Sequence, residues 1–303
     1  MFVIRNKKIF IIISIVLVAL SIFSICFFGL NAGIDFKGGA LTEVTYKDAR
    51  PTQEELNPIL ESLGFGSMLL QPAGDSDYIV KSRELNDIEH KQLLNALSQD
   101  GKNLLEEKNF SSIGPSVGKE LTRKAIVAII LVSLGIIIFI AFAFRKVSKP
   151  VSSWKYGFIA IVSLLHDVII PVGIFALLSH FLGIEMDTLF VVAVLTILGL
   201  SVSDTIVIFD RIRENIRGQA MINKINFPET VGKSLQQSFV RSICTSLTVI
   251  LVLLALFFFG PYSTKYFALV LAFGMFFGTY SSIFLASPLL VVVEGWQKKK
   301  SKK

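Results

Sequence analysis

The stretch LGLSVSDTIVIFDRIRE, residues 198–214, sets the carboxyl of Asp204 inside a long apolar run and follows it with a charged cluster. The run, 188–209, is long enough to cross a bilayer, because a spanning helix needs about 20 residues. An acid there costs roughly 2.5–3.5 kcal/mol on insertion scales, so it should face other helices or a wet cavity rather than lipid. If the span ends near Phe209, the carboxyl lies about 7–8 Å below that edge, at about 1.5 Å rise per residue.

Five other stretches qualify as spans: about 9–30, 124–144, 156–182, 240–260 and 266–292. The composition agrees: 52% of the 303 residues are hydrophobic and 17% are charged, too apolar a balance for an ordinary soluble domain. Cys26 and Cys244 both sit in apolar runs, which argues against a disulfide framework, and no metal-ligand spacing is present. Span one has too long an apolar core for a cleaved secretory signal, and no convincing A-x-A site follows it, so it reads as a retained anchor.

The net charge of +7 is distributed as topology. Arg5, Lys7 and Lys8 precede span one; Arg145, Lys146, Lys149 and Lys155 lie between spans two and three. Arg211, Arg213, Arg217, Lys224 and Lys233 separate spans four and five, and Lys298, Lys299, Lys300, Lys302 and Lys303 follow span six. All four sets share one side if both termini are cytoplasmic, and the short opposite loops carry only Lys265. Membrane lipid headgroups are then the expected neighbours of this charge, rather than nucleic acid.

The polar segment 31–123 is expected to fold on the far side. ALTEVTYK (40–47) alternates as a strand does. Thr52 with Glu55 starts a helix that runs to about Leu63. GSMLLQP (66–72) and DYIVKS (77–82) flank the turn AGDS; Asn86 with Glu89 starts a second helix, to about Ser98; NFSSIG (109–114) supplies a fourth strand. The order β-α-β-β-α-β is the ferredoxin-like arrangement. The expected architecture is therefore a polytopic α-helical membrane protein: six transmembrane helices, with one α+β ferredoxin-like extracytoplasmic domain between helices one and two. Its parts are 1–30 (N-terminus and helix one), 31–123 (the outside domain), 124–292 (helices two to six) and 293–303 (a basic tail).

GIDFKGGALTEV (33–44), directly after span one, resembles the signature of the SecD/SecF family of protein-export membrane subunits. LLHDVIIPVG (164–173), GLSVSDTIVIFDRIRE (199–214), SLQQSFVRSICTSLT (234–248) and GTYSSIFLASPL (278–289) are similar to matching segments of the SecF side of that family. The resemblance covers nearly the whole chain. It implies an RND-like auxiliary subunit of the Sec translocon in the bacterial cytoplasmic membrane. Such a subunit pairs with SecD and uses the proton-motive force in late translocation and release of unfolded preproteins. It also implies the SecYEG channel as the machine served, with SecA and YajC as further partners. No cofactor is expected, and with no nucleophile-base set or phosphate loop, no enzyme.

The intramembrane polar residues carry the mechanism. Arg241 lies just inside span five. Ser234, Ser238, Arg241, Thr245 and Thr248 recur at helical spacing and are expected to share a face toward Asp204, with Ser203, Thr196 and Gly199 on the span-four side. The resemblance assigns ion conduction to Asp204 and Arg241; from the residues alone, an Asp–Arg pin between helices or a snorkelling arginine fits as well. Asp167 lies roughly 16 Å into the bilayer, with Ser163 on its face and Pro171 to kink the helix. A relay and a packing hydrogen bond are both open for it. His166 should point about 100° away, as adjacent helical residues do.

Asp210, Arg211, Arg213 and Glu214 read as a solvated exit of span four, and Gly274 with Gly278 as a packing motif, with SecD as one partner. In the signature, Gly33, Gly38 and Gly39 suit a tight turn, and Asp35 is placed to pair with Lys37. Two other functions use the same features: an RND-like half-transporter for small or lipidic molecules, and a non-conducting structural partner of SecD.

Overall fold

The computed structural model describes residues 2–143, 153–220 and 226–300. Arg145, Lys146, Lys149, Lys224, Lys302 and Lys303 lie outside them, as do the side chains of Lys298, Lys299 and Lys300. In chain order the elements are α1 (Phe2–Arg5), α2 (Lys7–Phe28), α3 (Ile34–Lys37), β1 (Gly39–Tyr46), α4 (Gln53–Ser62), β2 (Leu69–Ala73), β3 (Asp77–Ser82), α5 (Asp87–Leu97) and β4 (Leu105–Ile113). There follow α6 (Pro115–Ala143), α7 (Ser153–Leu182), α8 (Thr188–Ala220), α9 (Phe227–Phe259), α10 (Tyr262–Ser281), a π turn (Ser282–Ala286) and α11 (Ser287–Lys300).

The chain divides into two compact units: Met1–Asn31 with Ala128–Ile184 and Leu189–Lys303, and Ala32–Val127 with Glu185–Thr188.

In the larger unit, α2, α6, α7, α8, α9 and the continuous rod α10–π–α11 are long and apolar enough to cross a membrane, six spans among the described residues. This is a multi-pass membrane protein. The 22 residues of α2 reach about 33 Å, close to the hydrocarbon thickness. Helices α8 and α9 have 33 residues each; α8 runs on past the expected end at 209, and α9 starts well before the expected 240. The cluster DRIRE does not end the helix. Asp210 pairs with Arg213 at 2.7 Å and Arg211 with Glu214 at 2.6 Å, both i,i+3 contacts that favour continued helix.

The core of this unit gathers Ile140, Tyr156, Ile208, Phe209, Ile212, Phe227, Val231, Leu235 and Ile283, with Val3 and Ile4 of α1 among them. On α6, Ile130, Leu131, Leu134, Ile138 and Phe139 remain exposed, an apolar surface suited to lipid or another membrane helix. Cys26 and Cys244 are exposed and are not bonded to each other.

The smaller unit has the expected β-α-β-β-α-β order. Its sheet runs β2-β3-β1-β4 with every neighbouring pair antiparallel, which is the ferredoxin-like topology. Both helices begin with complete capping boxes, Thr52 with Glu55 and Asn86 with Glu89, so two orphan backbone donors are satisfied at each start. Leu56, Leu60, Leu93 and Leu97 pack on Val44, Leu70 and Val80 of the sheet. The buried hydroxyl of Tyr46 donates to Leu97 O at 2.9 Å, and that of Tyr78 to Pro51 O at 2.8 Å.

Strand β4 starts four residues earlier than expected, at Leu105 rather than Asn109. Its charged start has weak strand propensity, and pairing along the full length of β1, with a bulge at Glu43/Val44, overrides that weakness. Strand β2 starts later than expected, at Leu69, because Gly66 has φ +83°, outside the strand region.

Candidate ion-coupling site

Helix α8 places Ser201, Asp204 and Thr205 at i, i+3 and i+4, one face of one helix. Each finds a partner on a different helix. The Ser242 hydroxyl of α9 donates to Asp204 Oδ1 at 2.6 Å. Ser201 donates to Asp167 Oδ2 of α7. Thr205 shares a hydrogen bond of 2.8 Å with Ser282, the first residue of the π turn. Asp204 Oδ2 is buried and accepts no hydrogen bond among the described residues.

Asp204 and Arg241 line one cavity of about 150 Å³, together with Ser201, Ser203, Thr245 and Thr279. Arg241 closes no ion pair with Asp204: the Ser242 hydroxyl holds this carboxylate, and the Ser282 hydroxyl is a second polar neighbour. A second cavity of about 380 Å³ lies on the other side of Arg241 and Val207, lined by Asp210, Glu214, Gln237 and Ser238. Arg241 therefore borders both spaces.

The expected polar face of α9 is displaced. Ser234 and Ser238 are buried as expected, but the buried row continues through Ser242 and Ser246, while Arg241, Thr245 and Thr248 are exposed. A strict spacing of four is an i±4n ridge, and small hydroxyl residues along it let a neighbouring helix approach. Ser246 hydrogen-bonds Thr279 of α10. Thr245 and Thr248 turn back to carbonyls of their own helix, Arg241 O at 2.8 Å and Cys244 O at 2.6 Å.

Asp167 is fully buried. Its carboxylate accepts from Ser201, from Ser281 at 2.7 Å, and is met by His166 Nδ1 at 2.8 Å. The expectation that His166 points away is thus corrected. A carboxylate removed from water must collect donors, and the imidazole swings back to supply one. His166 Nε2 and Ser163 Oγ are buried without a hydrogen-bond partner among the described residues, and the Tyr280 ring stacks over the imidazole.

Gly274 and Gly278 have their partners inside this chain: Ile197 and Ser201 of α8 occupy the space their missing side chains leave. Small residues there set how closely α10 approaches the helix of both Ser201 and Asp204.

The signature residues lie in the smaller unit. Gly38 and Gly39 have φ +83° and +138°, and a Cβ on them would stand 2.9 Å from Pro115 Cα and 2.8 Å from Ser82 O. Gly33 donates its N–H to Met186 O at 2.8 Å. Asp35 accepts the Thr188 N–H at 2.7 Å; the expected pairing with Lys37 is replaced, because a free backbone donor at a helix start competes well for a carboxylate.

The π turn and the hydroxyls Ser201, Thr205, Ser242, Ser281 and Ser282 went unassigned in the sequence. The signal for them was present in the adjacent serines 281 and 282, six residues ahead of Pro288 in an apolar run. Pro288 has no N–H for the carbonyl four residues back, and one residue earlier the Ser287 hydroxyl donates to Ser282 O at 3.1 Å.

The chain is similar to known proteins over nearly its whole length. The family model described as protein export membrane protein SecD/SecF, C-terminal, matches residues 93–296, and the SecD/SecF GG motif matches residues 23–49. The protein translocase subunit SecF of Thermobaculum terrenum is 41% identical, over 98% of this chain and 94% of its own. The protein translocase subunit SecDF of Bacillus subtilis is 34% identical, over 97% of this chain and 38% of its own length. The crystal structure of SecDF from Thermus thermophilus, a translocon-associated membrane protein, superposes with a TM-score of 0.79 at 32% identity, covering 97% of this chain and 38% of that one.

Proposed function

Because the chain belongs to the SecD/SecF family of protein export membrane proteins, we propose that it is an auxiliary subunit of the Sec protein translocase. It pairs with SecD in the bacterial cytoplasmic membrane, both termini cytoplasmic and the ferredoxin-like unit outside. It uses the proton-motive force to promote late translocation and release of preproteins delivered through SecYEG. The fusion of both halves into one chain in the SecDF relatives supports the pairing with SecD. The work is mechanical, and no covalent step is assigned to the chain.

One observation carries the reading: a half-satisfied carboxylate, Asp204, opens on a cavity it shares with an arginine that does not neutralise it at contact distance. A salt-bridged pair would be a static pin. A carboxylate with one free oxygen, a water-sized space beside it and a cation within the same walls can take up and release an ion. Its neighbours on α9 and α10 then feel the change in charge.

The test is preprotein release from vesicles under an imposed proton gradient. With Asp204→Asn, release should drop to the level seen without a gradient while assembly with SecD stays normal. Undiminished release would leave the chain as a scaffold.

A further inference from the structure

Asp167 and His166 are sealed, 0% and 2% exposed, yet three donors converge on the carboxylate: His166 Nδ1, Ser281 Oγ and Ser201 Oγ. Of these three, Ser201 also lines the cavity that holds Asp204. Ser281 is fully buried and its hydroxyl lies against Gly278 O as well; the outer nitrogen of His166 meets no partner among the described residues. We propose that the Ser201 hydroxyl is a proton relay between the wet Asp204 cavity and the enclosed Asp167–His166 pair, making that pair a second proton-holding site in series with the first.

A serine hydroxyl has one donor and two acceptor positions. A water protonated in the cavity, or the acid form of Asp204, gives a proton to Ser201 Oγ. The hydroxyl's own hydrogen passes in the same step to Asp167 Oδ2, and rotation about Cβ–Oγ resets the group. No charge is stranded on the serine, and no other reactant is needed. Asp204 and Ser201 are i, i+3 neighbours, roughly 5–6 Å apart at Cβ, a gap one water bridges in a cavity of about 150 Å³. The charged and titratable groups that face the pair are His166 on α7, Asp204 on α8, Arg241 on α9 across the cavity, and Tyr280 on α10 over the imidazole. The arrangement also gives the π turn a task. Ser281 holds Asp167 and Ser282 holds Thr205, beside Asp204, so adjacent residues of one helix touch both stations.

The proposal rests on Asp204 being an ion-accepting group, and the experiment separates the two. Infrared difference spectra of the full chain in lipid are recorded after a pH jump, with carboxyl bands assigned by Asp204→Asn and Asp167→Asn. Both bands should respond in the unmodified chain. In Ser201→Ala and in the volume-conserving Ser201→Cys, the Asp204 band should respond as before, while the Asp167 response slows by at least about a hundredfold, the low side of what a positioned proton-transfer group supplies. An Asp167 band that is silent in the unmodified chain, or equally fast in both variants, overturns the relay and leaves the Asp204 reading standing. A silent Asp204 band overturns both.

Discussion

Asp204 is held by Ser242, not by Arg241, the residue immediately before it on the same helix. The two occupy different faces of α9: one reaches the carboxylate by hydrogen bond, and the other borders the cavity around it. A hydroxyl orients a carboxylate without fixing its charge, whereas a contact guanidinium would fix it. The following expectations divide along that line.

Ser242→Ala removes the donor of Asp204 Oδ1 from a part-buried carboxylate whose Oδ2 already lacks a hydrogen bond. The expected loss is about 1–3 kcal/mol, read as a lowered thermal midpoint in detergent. Arg241→Lys should leave that midpoint within about 0.5 kcal/mol, because an exposed side chain in no ion pair gives up little.

Asp167→Ala strands three donors in a dry core and should cost about 3–5 kcal/mol, as breaking a buried charged network does. Asp167→Asn keeps the shape and acceptor oxygen and should cost less than half as much. Equal midpoints for the two variants would mean that the donors do not depend on the carboxylate.

Gly39→Ala should destabilise by about 1–3 kcal/mol or more, since φ +138° is strained for any side chain and the new Cβ meets Ser82 O. Gly74→Ala is the control. It has φ +63° but nothing within 4 Å, so only the backbone term of about 1–2 kcal/mol applies. Limited proteolysis of the full chain should open the ferredoxin-like unit far sooner in the first variant than in the second.

Two acids of the sheet should respond to pH in opposite directions. Burial lifts the Glu43 carboxyl above its ordinary range, with Lys108 opposing and Asp77 adding to the rise. A raised folded pKa means that Glu43 lowers stability as pH rises from the ordinary glutamate value through the folded one. Burial also acts to raise Asp77, but hydrogen bonds from Lys108, Thr45 and Ser76 outweigh it and hold this carboxyl low. Its contribution is present above the ordinary aspartate value and disappears as pH falls through the folded one. Glu43→Gln should therefore raise the thermal midpoint at pH 7 and lose that advantage in acid, whereas Asp77→Asn should lower the midpoint at pH 7 and converge with the unmodified chain in acid.

The architecture was legible because it rests on length and on local chemistry. Apolar runs of about 20 residues have one stable solution in lipid. The boxes Thr52–Glu55 and Asn86–Glu89 mark helix starts by hydrogen bonds that close within four residues. Site residues were legible as types and less so as partners. Asp204, Arg241 and Asp167 stand out because charge is rare in such runs, but which neighbour holds each one depends on helix rotation. A stripe read as alternating fours and threes selects Arg241 and Thr245, while the packed row runs in fours through Ser242 and Ser246. A rotation of well under half a turn separates the two readings. His166 and Asp35 were misassigned for a related reason. Local geometry places the Cβ, and a buried carboxylate or an orphan N–H elsewhere in the chain decides where the side chain goes.

The widened turn at Ser282–Ala286 carries an arithmetic consequence. It accommodates one residue more than an α-helical turn would, so everything after it is rotated by about 100° relative to an uninterrupted rod. Leu290 and Val291, beyond the turn, are buried in the core. Tightening the turn to ordinary helix with every residue kept would spin the C-terminal segment by about 100°, whereas deleting one residue would remove the widened turn and leave both segments facing as they do now. The last span is in effect two gears on one shaft, and their phase is set by a count of one.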